Sequence, residues 1–167
     1  MNPTDVSQAM NTLTHGVYVL GVHANDKDNL MTAAWLCQVA SSPAMLVVAV
    51  STGHLTADMM KEAGYFTVSV LKDTQKDIAI ACGRVSGRKE DKTKLVETEY
   101  TEDGIPMIKD AAAQLMCKIV DQKVITNHTL FIAEAVSATQ NADEVLNELN
   151  RRYQPHFQPR KEEGYIR

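Results

Sequence analysis

At 167 residues, with 44% hydrophobic and 23% charged side chains and a formal charge of -4, the chain has the size and balance of one globular domain able to bury roughly 70% of its unfolded surface. A mildly acidic balance argues against a nucleic-acid partner. The longest apolar run, 44–50, is far too short to span a bilayer, and Met1-Asn-Pro-Thr-Asp5 lacks the basic start and apolar core of a signal peptide, so a cytoplasmic setting without membrane contact is expected.

Residues 5–13 carry a weak helical pattern, and Gly16 to His23 reads as a β-branched strand that the polar turn 24–28 folds back into a hairpin. The next stretch, 29–71, holds most of the information. Met31 to Val39 and Ala44 to Val50 read as two buried strands joined by a tight turn at Ser41-Ser42-Pro43. Small residues crowd the first: Ala33 and Ala34, with Ser41 and Ser42, leave main-chain groups uncovered where a flat ligand can lie, and Trp35 adds an aromatic wall. Ser51, Thr52, His54 and Thr56 follow, just ahead of a helical pattern at Leu55, Met59, Met60 and Ala63 that Gly64 ends. Hydroxyls and open amides at a helix start suit a phosphate, and the macrodipole adds about 0.3–1 kcal/mol for an anion there. A planar-ring site one strand away from a phosphate site fits a flavin mononucleotide. The plainer reading of the same residues is a strand, a turn and a capped helix.

Tyr65 to Leu71 is a further strand, and Asp73 can cap a helix from Thr74 to Cys82 with Gly83 at its end. Residues 83–94 hold five cationic and two anionic side chains among two glycines and read as an exposed loop. A short strand at Val96 to Tyr100, a turn at Asp103-Gly104 and the segment Ile105 to Ile108 come next. Ala113 to Val124 and His128 to Thr139 alternate as two long strands; Asp143 to Arg152 has a helical face at Val145, Leu146 and Leu149, and Tyr153 to Arg167 is a polar tail. Six or seven strands with helices at the connections predict a mainly β, antiparallel barrel, one domain over 1–167 with the barrel at about 10–140. Cys37, Cys82 and Cys117 lack the spacing of a disulfide framework or metal knuckle and are expected as packed free thiols. The histidines at 15, 23, 54, 128 and 156 show no metal-ligand spacing, and neither a Walker A loop nor a dinucleotide-binding glycine fingerprint occurs.

Several segments taken in order carry a family resemblance. These are Met31-Thr-Ala-Ala-Trp35 with Gln38-Val-Ala-Ser-Ser-Pro43, Thr56, Gly64 to Leu71, Ser86-Gly87-Arg88 with Asp91-Lys92, and His128-Thr-Leu-Phe-Ile-Ala-Glu-Ala-Val136. Together they resemble the flavin reductase-like family of FMN-binding split barrels, most of all flavoredoxin, the flavin domain of high-molecular-weight rubredoxins and the reductase-like domain of diflavin flavoproteins. The resemblance implies a Greek-key split barrel and a homodimer with flavin near the subunit interface. It implies FMN contacts at Thr32, Ala33, Ala34, Trp35, Gln38, Ser51, Thr52, His54, Thr56 and Lys92. It also places His128 by the ring, where it would orient a nicotinamide as the catalytic side chain. Two departures, Thr93 after Asp91-Lys92 where the family has Phe, and Ala133 where it has Gly, bear on nicotinamide access more than on flavin binding.

Three functions follow as expectations. The first is an FMN-binding oxidoreductase that takes hydride from NADH or NADPH and passes electrons to free flavin or another acceptor. The second is a non-catalytic FMN module reduced by a redox protein such as rubredoxin or ferredoxin. The third is an empty barrel that serves as an interaction domain.

Overall fold

Two-residue alternation and tight turns shape the chain from 6 to 149, the residues described in this computed structural model. A short helix α1 (Val6–Met10) and strand β1 (Thr14–Gly16) lead into β2 (Tyr18–Ala24) and β3 (Lys27–Ala33). Asn25 and Asp26 sit between these two in the left-handed region, with φ of 52° and 56°, as a two-residue hairpin turn requires. Then come β4 (Leu36–Ser41), β5 (Ala44–Ser51), helix α2 (Leu55–Ala63), β6 (Tyr65–Val70) and helix α3 (Lys76–Arg84). Strands β7 (Thr98–Tyr100), β8 (Pro106–Ile108), β9 (Ala113–Ile125), β10 (His128–Gln140) and β11 (Asn147–Leu149) complete the order.

Seven strands form one antiparallel sheet in the order β3-β2-β6-β9-β10-β5-β4, flanked by the ribbons β1-β11 and β7-β8. Strand β5 leaves through α2 and re-enters beyond β10 and β9 as β6, a Greek-key crossing. The first and last strands of the sheet, β3 and β4, are linked by Ala34 and Trp35 alone. Two residues reach only about 7 Å, so the sheet must roll until its edges meet. The edges share no ladder, and the barrel is split along this seam.

Phe66, Phe131, Leu20 and Met60 fill the barrel together with Val48 and Val50, all almost fully buried. Helix α2 adds Ala57, Met59 and Met60 to that cluster. A second cluster, with Val17, Val19, Leu30, Leu71, Ala79 and Ile108, packs α3 against the outer face of β2 and β3. Burial on both faces explains why β2 reads as a continuous run without polar alternation.

The structure departs from the sequence reading in several elements. The strand expected at Met31 to Val39 is two strands on opposite sheet edges, and its second half is exposed, because the chain crosses the seam at Ala34-Trp35. Ser41 and Ser42 therefore lie at the far end of β4, away from Ala33 and Ala34. Asp73 begins a 3₁₀ turn, and the helix proper starts at Lys76 and runs through Gly83; the Lys72 amide is capped instead by Gln75 Oε1 at 3.0 Å. The helix expected from Asp143 does not form within the described residues. There Leu146 fills the second core cluster, while 147–149 pair with β1. Cys82 and Cys117 are buried thiols, but Cys37 is exposed. Asp5, residues 150–152 of the expected helix and the tail, including His156, lie outside the described residues.

Candidate functional site at the barrel seam

Trp35 stands in the seam. Its carbonyl accepts the Ala49 amide of β5 at 2.9 Å, and its side chain is 50% exposed. The His128 ring packs against the indole with centroids 4.9 Å apart and planes 39° apart. His128 begins β10 opposite Ser51, the last residue of β5. One strand end thus carries both neighbours of the aromatic pair. An apolar groove of about 290 Å³ runs from Trp35 along Ala34, Leu36, Cys37, Val47, Ala49 and Leu130 to Met10 and Leu13 of the N-terminal segment.

The tautomer of His128 follows from its partner. Nδ1 lies 2.8 Å from Asn127 Oδ1, and an amide oxygen can only accept, so Nδ1 carries the proton and Nε2 keeps a free lone pair. Burial lowers the pKa of this ring, which favours neutral imidazole near neutral pH. The main chain of the same Asn127 accepts from both the amide and the hydroxyl of Thr52, at 3.0 and 3.2 Å, and so locks the end of β5 to the β9–β10 turn.

Three residues further on, α2 begins. Its N-cap residue His54 makes no side-chain cap, so the first-turn amides keep no side-chain partner from that residue. Arg88 reaches over this start, donating from Nη1 to Gly53 O at 3.0 Å and from Nη2 to Asp58 Oδ2 at 2.9 Å. The pKa of His54 is held down first by surrounding protein and then by the positive charges of Lys92, His128 and Arg88. In an acidic chain, this rim collects positive charge.

Of the residues expected to touch a ligand, Trp35, Ser51, Thr52, His54 and His128 come together along this rim with exposed or half-exposed side chains. Ala33 and Ala34 lie under it, buried. Gln38 is exposed on β4, where its amide donates to Ala40 O. Three others turn inward. Thr32 Oγ1 donates to Ala79 O at 2.7 Å and ties β3 to α3. Thr56 is 1% exposed, with its hydroxyl taken by Asn29 Nδ2 at 2.8 Å. Lys92 is 3% exposed and donates from Nζ to Cys82 O at 2.9 Å. These inward side chains fasten the helices and the charged loop to the barrel, and Lys92 reaches the rim through its charge.

Sequence reasoning passed over Asn29, Asn127 and Arg88. Asn29 and Asn127 act through tertiary hydrogen bonds to partners 27 and 75 residues away, which leave no local pattern. Arg88 lay in a charged loop whose default is a solvated face; Gly87 beside it was the available signal.

Comparison with known proteins places the chain in a family. A high-molecular-weight rubredoxin of Moorella thermoacetica is 26% identical over 134 residues, covering 79% of this chain and 58% of that protein. A ferric-chelate reductase (NAD(P)H) of Archaeoglobus fulgidus is 28% identical over 133 residues, 78% of this chain and 79% of its own. Flavoredoxin from Methanosarcina acetivorans superposes with a TM-score of 0.72 at 32% identity over 77% of this chain and 69% of that one. The chain thus spans little more than half of the rubredoxin, and diflavin flavoproteins are among the more distant relatives. The model of the flavin reductase like domain matches residues 10–156, and the chain belongs to that family.

Proposed function

We propose that this chain binds FMN at the barrel seam and works as an oxidoreductase, taking hydride from NADH or NADPH and passing electrons to free flavin or another acceptor. The observation that carries the reading is the junction at the end of β5. There the Trp35–His128 pair with its apolar groove meets the uncapped, positively charged start of α2 within a few residues. A flat apolar ring and a phosphate match these two halves. When bound, FMN supplies the redox chemistry.

The chain's own residues do the rest. Trp35 walls the ring. Neutral His128, its Nδ1–H committed to Asn127, offers Nε2 as an acceptor that can orient the amide of a nicotinamide. Main-chain amides at 55–56 and the charges of Arg88 and buried Lys92 favour the phosphate. The outer face of β4, β5 and β10 carries Cys37, Val47, Ala49 and Leu130 around the groove, and Val39 further along β4 is 55% exposed. A second copy of the chain covering that face would make a homodimer and shield the ring from water. Among the described residues no helix is long and apolar enough to cross a membrane, and a cytoplasmic setting belongs to the same proposal.

The likeness to high-molecular-weight rubredoxin supports a second reading, an FMN relay reduced by a redox protein such as rubredoxin or ferredoxin. Thr93, which departs from the family pattern, points the same way; the other departure, Ala133, is fully buried in the barrel core and does not bear on nicotinamide access. A visible spectrum of the purified protein, followed by anaerobic addition of NADH or NADPH, separates the readings. Flavin absorbance that bleaches supports the reductase. Flavin that persists with both nucleotides yet bleaches with reduced rubredoxin supports the relay. A colourless protein indifferent to added FMN refutes both.

A further inference from the structure

Arg88 is tied to α2 in a way that an ordinary surface arginine is not. The loop carrying it meets β3 at Gly87, where a Cβ would lie 2.1 Å from Asn29 Oδ1, so only glycine allows the approach. Asn29 is itself 1% exposed and holds Thr56 of α2 through Nδ2. One buried amide therefore sets both the helix start and the base of the arginine's loop. From there the guanidinium bridges Gly53 O, just ahead of α2, and Asp58 in the first turn of the helix. Its side chain is 48% exposed and that of Asp58 51%. An ion pair this exposed is weak.

We propose that Arg88 is the residue that selects a phosphorylated flavin, and that Asp58 holds it in readiness when no ligand is bound. This inference rests on the reading of the α2 start as a phosphate site. A phosphate monoester carries a charge of about -1.5 to -2 near pH 7, more than one carboxylate, and the planar guanidinium can grip two of its oxygens at once. Bound phosphate therefore draws Arg88 from Asp58. Asp58 acts as a competitor, so removing its charge strengthens binding although Asp58 touches no ligand.

The test uses the full chain stripped of flavin, titrated with FMN and with riboflavin, which has the ring and lacks the phosphate. Arg88→Met is expected to raise the FMN dissociation constant about ten- to a hundredfold and to leave that for riboflavin where it was, with an unchanged melting temperature. Asp58→Asn is expected to tighten FMN several-fold, and to have no effect on FMN in the Arg88→Met background. A merely structural Arg88 would weaken both flavins alike, and that result overturns the proposal. So does an Asp58→Asn effect that survives without Arg88. If the parent protein does not distinguish FMN from riboflavin, the phosphate reading fails as well; if it does, and Arg88→Met binds FMN as the parent does, only the role of Arg88 falls.

Discussion

Lys92 is the residue whose replacement should have the least intuitive effect. It is 3% exposed, and its ammonium donates to Cys82 O at 2.9 Å. Burial pulls its pKa from 10.5 down to about 8, with the nearby Cys82 thiol acting in the opposite direction. That fall corresponds to a burden on the order of 3 kcal/mol on the flavin-free protein while the side chain stays charged. The folded state holds this proton less tightly than the unfolded chain does. The burden is therefore fully present below pH 8 and fades as pH rises toward 10.5. Lys92→Met keeps an unbranched apolar stem and removes the charge, while the Cys82 carbonyl loses a donor worth about 1 kcal/mol.

Flavin-free Lys92→Met should accordingly be about 2 kcal/mol more stable than the parent at pH 7, and its advantage should vanish by pH 10. Urea unfolding at the two pH values, with matching m-values, measures this. The buried thiol of Cys117, raised to about 12, titrates alike in both proteins; that of Cys82, raised to about 11, loses the Lys92 charge that holds it down and rises further in the variant, which burdens the variant only at alkaline pH and adds to the loss of its advantage there. Saturating FMN should reverse the order at pH 7, since the parent gains more binding energy from its charge. A Met variant that is less stable without flavin at pH 7, or that keeps the parent's pH slope, would refute the argument.

Five other outcomes are expected. His128→Ala should slow flavin reduction by nicotinamide in stopped-flow measurements and leave flavin affinity unchanged; equal loss of both would make the residue structural. In the parent protein that rate should be flat above pH 7 and decline only on acidification past a His128 pKa that burial holds below 6.5. Gly21→Ala places a Cβ 1.8 Å from the Pro106 carbonyl, where β2 meets β8, and should cost more than about 3 kcal/mol in thermal unfolding. Gly64→Ala meets no atom within 4 Å and suffers only from its φ of +71°, so about 1–2 kcal/mol is expected. Val39→Glu on the exposed face of β4 should shift a homodimer to monomer in size-exclusion chromatography while leaving the melting temperature of the monomer unchanged.

What the sequence disclosed depended on how locally each feature is encoded. Hairpin turns were legible because left-handed backbone selects Asn25-Asp26 and Gly104, and the Gly64 helix end for the same reason. The long strands β9 and β10 showed in their alternation. The seam did not, because Met31 to Val39 has the composition of one unbroken strand; that it breaks at Ala34-Trp35 is decided by pairing with β2 on one side and β5 on the other. The short strand β11 likewise takes its form from β1, 131 or more residues earlier. For the site, sequence order showed which residues the fold gathers near the seam more readily than the directions of their side chains. Thr32, Thr56 and Lys92 were expected to face a ligand, and hydrogen bonds to α3, β3 and the Cys82 carbonyl turn them inward instead. Residue type names a chemistry, but burial decides whether that chemistry reaches the surface or only projects its charge.

The split in the barrel explains why the proposed ring and phosphate sites fall where they do. A closed ladder between β3 and β4 would consume the main-chain groups at 33–36 and leave Trp35 no gap to stand in. With the seam open, Trp35 is fixed by a bond to Ala49, and His128 by its pairing with Ser51. Thr52 is pinned to Asn127, and α2 opens at Leu55. The spacing from ring wall to helix start is therefore set by a few residues of one strand, 49–54, held at both ends. A strand rises about 3.3 Å per residue and reverses its facing at each step. One residue inserted between Ala49 and Thr52 would thus both lengthen the span and turn either the ring contact or the helix start away from the ligand. Such an insertion should abolish FMN binding while the core formed by Phe66, Phe131 and Leu20, which lies on the other face of the sheet, still folds.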